Sequence, residues 1–121
     1  MFEQSKPTKK QIELIKKLDE LNNCIWECNS TKEIILIAKE AIVLSKYVKP
    51  TTYILANGTE KINNKGKKLI LENLENDIVL LKNRSYSSIN QEKFAIYTSI
   101  QLLIGVFVHL TTEELINVLR K

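Results

Sequence analysis

Phe94-Ala95-Ile96-Tyr97-Thr98-Ser99-Ile100-Gln101-Leu102-Leu103-Ile104-Gly105-Val106-Phe107-Val108-His109-Leu110 is the stretch that decides how this chain must fold. No charged side chain occurs from Phe94 to Thr112. A membrane span needs about 20 predominantly apolar residues. Tyr97, Thr98, Ser99, Gln101 and His109 interrupt this run too often for that, so it reads as a buried helix of a water-bathed bundle. A second apolar rod lies upstream at Ile34–Val48, where only Lys39, Glu40, Ser45 and Lys46 are not apolar. Lys32, Lys39 and Lys46 repeat every seven residues, with Glu33 and Glu40 beside two of them. That pattern predicts one narrow wet stripe on a mostly buried helix.

Amphipathic helices are expected around these rods. Thr8-Lys9-Lys10-Gln11 fits a capping box, in which a threonine and a glutamine satisfy backbone amides left open at a helix start. Leu14, Leu18, Leu21, Ile25 and Cys28 then recur at spacings of four and three, predicting a first helix from Thr8 to Cys28. Ser30-Thr31-Lys32-Glu33 is a second capping box, and Pro50 ends the rod that follows. Asn64 opens a third helix, with a buried stripe of Ile70, Leu71, Leu74, Ile78 and Leu81, that ends near Lys82-Asn83-Arg84. Ser88-Ile89-Asn90-Gln91 is a third box, with direct capping by Asn90 as the alternative. Thr111-Thr112-Glu113-Glu114 starts a short terminal helix through Leu115, Ile116, Val118 and Leu119.

Between the second and third helices, Asn57-Gly58 suits a type I′ turn and predicts a β-hairpin at about 51–63. A two-residue loop would place Ile54 opposite Lys61 and Tyr53 opposite Ile62. A single helical turn from Pro50, ended by Gly58, is the competing reading. The expected fold is mainly α: a compact bundle of four longer helices plus a short C-terminal helix. The chain is one domain over residues 1–121, with 1–7 as a flexible N-terminal arm.

Composition narrows the function classes. The chain has 121 residues, and 18 basic against 14 acidic residues leave a net charge of +4, which is too basic for an acidic DNA mimic. Met1–Pro7 lacks the apolar core of a signal peptide, and two cysteines cannot make a disulfide framework, so a reducing cytoplasm is expected. The lysine and isoleucine bias fits an AT-rich genome, such as a low-GC bacterium, its phages or its mobile elements.

Few residues offer chemistry. Cys24 and Cys28 lie one helical turn apart, but a structural zinc site needs four ligands and His109 is the only histidine. No oriented nucleophile–base pair can be named around His109. Gly58, Gly66 and Gly105 are isolated, which excludes a glycine-rich phosphate loop. Asn83-Arg84 matches the start of an Arg-then-His ribonuclease motif, but no histidine follows at the required distance. No enzyme, no metal and no cofactor are expected.

Lys61, Lys65, Lys67 and Lys68 form the densest positive segment, at a helix start whose amides also favour anions. They are candidate contacts for a nucleic acid or a small anionic ligand. The first expectation is different. A chain this short can hardly sheathe two apolar rods, so a homodimer or higher oligomer is expected, with Ile100, Ile104, Phe107, Ile35 and Ile42 in the interface. The function favoured is a non-enzymatic binding protein that occupies a partner protein. In size and architecture alone, with no shared motif, the chain is similar to small helical immunity and phage-inhibitor proteins. A DNA- or RNA-binding regulator using Lys61–Lys68 on phosphates is the alternative, and a sponge for a signalling nucleotide the second alternative.

Overall fold

A computed structural model describes residues 3–4, 8–50, 52–54, 60–62 and 64–107. Four helices dominate it: α1 (Lys9–Cys24), α2 (Thr31–Lys46), α3 (Asn64–Lys82) and α4 (Ile89–Phe107). A 3₁₀ turn, Ile25–Glu27, follows α1. Strands β1 (Glu3–Gln4), β2 (Thr52–Ile54) and β3 (Glu60–Ile62) make one small antiparallel sheet in the order β1-β2-β3. The bundle is the one expected. His109 and the expected terminal helix at 111–119 lie outside the described residues.

Capping explains where the helices begin. Thr8 and Gln11 form the full reciprocal box on α1: Thr8 N–H donates to Gln11 Oε1 at 2.8 Å, and Gln11 N–H to Thr8 Oγ1 at 3.2 Å. Ser30 and Ser88 cap α2 and α4 through the backbone N–H groups of Glu33 and Gln91. In both, the returning side chain reaches one residue further back, to the N–H of Asn29 and of Ser87. The C-terminus of α3 is a Schellman motif. Ser85 N–H donates to the Leu80 carbonyl and Arg84 N–H to that of Leu81, with Arg84 in the left-handed region at φ 53°.

α2 and α4 each pack against α1 and α3, and against each other. Their starts are tied by Thr31 Oγ1, which donates to the buried carboxylate of Glu92 at 2.7 Å. That carboxylate sits in the first turn of α4 beside the first residue of α2, where both helix dipoles favour negative charge. At the other end the Lys67 ammonium reaches the carbonyls of Lys46 and Val48, at 2.8 and 3.0 Å, and lies 5.8 Å from the Phe107 ring centre. α2 and α4 therefore run parallel. The core between the helices holds Leu14, Ile15, Leu18 and Ile25, then Ile34, Ala38 and Ala41, Leu74, Ile78 and Leu81, and Ile96, Ile100, Leu103, Ile104, Val106 and Phe107. No helix among the described residues is long and apolar enough to cross a membrane.

Four expectations are corrected. α1 stops at Cys24 rather than Cys28, because the chain tightens into the 3₁₀ turn; Ile25 and Cys28 stay buried all the same. α2 is not mostly buried, since only Ile34, Ala38, Ala41 and Ser45 are fully covered while Leu36 and Val43 face outward. Glu3–Gln4, expected in a loose arm, pairs with β2, with Glu3 opposite Ile54. The hairpin forms, but its register is displaced by one residue: Tyr53 stands opposite Lys61 and Ile54 opposite Glu60. A two-residue loop cannot give that pairing. A one-residue slip exchanges the two faces of a strand. The turn at 55–59 lies outside the described residues.

Candidate interaction face

α4 has two faces of opposite character, and the helical period separates them. Ile96, Ile100, Leu103, Ile104 and Phe107 point into the bundle. Phe94, Thr98, Gln101, Leu102 and Gly105 point out, with Phe94 65% and Leu102 56% exposed. Phe94, Thr98, Gln101 and Gly105 follow one another at steps of four, three and four, the spacing of a seam along which a second helix can lie. α4 contributes no charge to it after Lys93.

Two polar atoms of this face are already engaged. Thr98 Oγ1 donates to the Phe94 carbonyl at 2.8 Å, and Gln101 Nε2 to Tyr97 Oη at 3.0 Å. Covering such groups costs less than covering donors that water alone satisfies. Along one border Trp26 packs on Tyr97 with ring centres 5.2 Å apart and planes at 50°, and Lys93 Nζ donates to the Trp26 carbonyl at 3.1 Å. Along the other border Asp77 of α3 accepts from Ser99 Oγ at 2.8 Å and Tyr86 Oη at 3.4 Å. Burial raises the Asp77 carboxyl above its ordinary range, against the lowering effect of those two hydroxyls. An open groove of about 460 Å³ runs beside it, lined by Tyr86, Asn90, Gln91, Phe94 and Ala95. Trp26, Tyr86, Phe94 and Tyr97 thus gather around one helix, and aromatic enrichment of this kind marks the centres of protein interfaces.

The expected interface residues fall elsewhere. Ile100 and Phe107 are completely buried within the single chain and Ile104 nearly so, so they build its own core and form no outer patch. Ile35 and Ile42 are half-buried against the same core.

The lysine segment is divided. Lys65 and Lys68 are exposed, and the side chain of Lys61 lies outside the described residues. Lys67 turns inward onto the open carbonyls at the end of α2, where a cation suits the helix dipole. Its pKa is lowered by burial. Lys67 is therefore drawn away from Lys65 and Lys68 rather than presented with them. Cys24 is exposed and Cys28 buried, and the Cys28 thiol donates to the Cys24 carbonyl at 3.6 Å. Burial raises the Cys28 pKa, with Glu33 adding to the effect. Among the described residues no three His, Cys, Asp or Glu side chains converge as metal ligands would. No known protein family matches this sequence, and comparison with characterised proteins and with solved structures finds no similar chain.

Proposed function

We propose that this chain is a non-enzymatic helical binding protein that works by seating the outer face of α4 on another protein surface, as an inhibitor, immunity protein or adaptor does. The observation that carries this reading is the seam Phe94–Thr98–Gln101–Gly105 with Leu102 beside it: exposed, free of charge, rimmed by aromatic rings and with Thr98 Oγ1 and Gln101 Nε2 already bonded within the helix. A partner that covers this surface gains apolar burial at roughly 25 cal/mol per Å² and desolvates no ion on the helix itself. The lysine segment supports a nucleic-acid or nucleotide reading less well, because Lys67 is held by backbone carbonyls.

Capture of a protein from a low-GC bacterial lysate tests the proposal when paired with two variants. Phe94→Asp should abolish capture without lowering the melting temperature of the monomer, since Phe94 is mostly solvent-exposed in the single chain. Lys65→Glu with Lys68→Glu should leave capture intact. The reverse pattern, with a gel shift of nucleic acid that weakens steeply with salt, refutes the proposal in favour of phosphate binding.

A further inference from the structure

Gly105 is out of place in its own chain. Glycine inside a helix is destabilising relative to alanine, and a close approach or an unusual backbone angle normally explains it. Neither is present among the described residues: a Cβ built on Gly105 meets none of their atoms within 4 Å, and the residue lies exposed in regular helix. Nothing within the described chain requires the missing side chain.

Resting on the reading of α4 as a docking face, we infer that until a partner protein displaces it, the occupant of this face is a second copy of this chain, packed antiparallel so that Phe94 of each copy seats on Gly105 of the other. The seam spacing of four, three and four is the same in both directions. A two-fold axis between Thr98 and Gln101 therefore brings Phe94 opposite Gly105 and Thr98 opposite Gln101 at once, which is the self-complementarity an isologous dimer needs. The largest exposed side chain of the seam meets the position with none. A parallel pairing would set ring on ring at one end and leave a gap at the other, with the two helix dipoles aligned unfavourably.

Charge also selects this face. The molecule carries a net charge of +4, and the outer face of α2 carries Lys32, Lys39 and Lys46 among Glu33 and Glu40. Self-pairing there would have to match or desolvate those ions. The α4 seam brings no ion to its own copy, and the bonds from Thr98 to Phe94 and from Gln101 to Tyr97 stay closed within each protomer.

Sedimentation equilibrium of the full chain over a wide concentration range tests the inference. The expected result is a reversible dimer of the 14.0 kDa chain. Phe94→Ala and Gly105→Ala should each weaken it about tenfold or more, since a methyl at Gly105 overfills the seat twice in a symmetric pair. At concentrations where only monomer exists, Gly105→Ala should raise the melting temperature, so that association and stability move in opposite directions. In a Cys24→Ser background, a mixture of Thr98→Cys and Gln101→Cys chains should cross-link faster than either variant alone. A dimer indifferent to both substitutions, or one cross-linked fastest between like positions, overturns the antiparallel seam. A single 14 kDa species at all concentrations overturns the second copy as occupant. Loss of lysate capture by Phe94→Asp would still stand in that case, so the two readings fail separately.

Discussion

The outer faces of α2 and α4 expose similar amounts of apolar side chain and mean different things. On α2, Leu36 and Val43 are 58% and 63% exposed, and Tyr47 follows just beyond its end. They stand among Lys32, Glu33, Lys39, Glu40 and Lys46, so water remains close to every apolar group. On α4, the exposed residues that share the seam with Phe94 and Leu102 are Thr98, Gln101 and Gly105, none of them charged. Single exposed apolar residues are normal on any protein surface. The surrounding charge distinguishes a solvated rod from a face that can dock, and hydrophobicity alone would rank the two helices alike.

The sharpest way to break this comparison is to invert it on one helix. Ile100→Ala on the inner face of α4 should cost about 2–5 kcal/mol in a denaturant titration, the range for a large core side chain cut to alanine. At concentrations where only monomer exists, Phe94→Ala on the outer face should stay within about 0.5 kcal/mol of the parent. Equal losses would mean that both faces are packed within one chain.

Asn22 sharpens the contrast between satisfied and unsatisfied polar groups. It is 1% exposed, and neither its Nδ2 nor its Oδ1 has a hydrogen-bond partner among the described residues. Asn22→Leu should stabilise the chain by about 1–3 kcal/mol, read as a higher denaturation midpoint with an unchanged slope. Gln11 is the opposite case. Its Nε2 donates to the carbonyls of Lys49 at 2.9 Å and Pro50 at 3.2 Å while its Oε1 caps α1. Gln11→Glu keeps the cap acceptor and loses both donors, and should destabilise by about 1–3 kcal/mol. A smaller gain is expected from Arg84→Gly, about 0.5–1 kcal/mol in thermal melts, because glycine takes the left-handed angle of a Schellman cap without steric cost.

The smallest effect concerns pH. The Asp77 carboxyl has a folded pKa above its unfolded value of 3.8, caused first by burial. Folding therefore favours its protonated form. The stability linked to this group is present below the unfolded value and is lost as pH rises through the folded one. Asp77→Asn, whose Oδ1 can accept from one of the two hydroxyls while its Nδ2 donates to the other, should remove that slope from the acid limb of stability against pH.

Much of the bundle was legible because helix starts carry local chemistry. Thr8, Ser30 and Ser88 act within three residues of themselves, so their signals survive whatever the rest of the chain does. The seam Leu14, Leu18 and Ile25 and the stripe Leu74, Ile78 and Leu81 were legible for a related reason: polar residues between them fix the phase. In α4 apolar residues crowd both sides, the phase is blurred, and Ile100, Ile104 and Phe107 read as surface when they are core. The hairpin register was missed by one residue because it was reckoned from a two-residue loop at Asn57-Gly58, whereas the strands set Tyr53 opposite Lys61. Lys67 was illegible in principle, for its partners are the carbonyls of Lys46 and Val48, about twenty positions away, and only the packing of α3 on α2 brings them near.

Trp26 is the one tryptophan of the chain, and it lies half-exposed against Tyr97 at the border of the α4 face. The molecule therefore contains a native optical reporter. Indole emission responds to loss of nearby water, so whatever settles on this helix announces itself as a spectral shift without any attached dye. The unmodified protein is enough to follow the kinetics of docking.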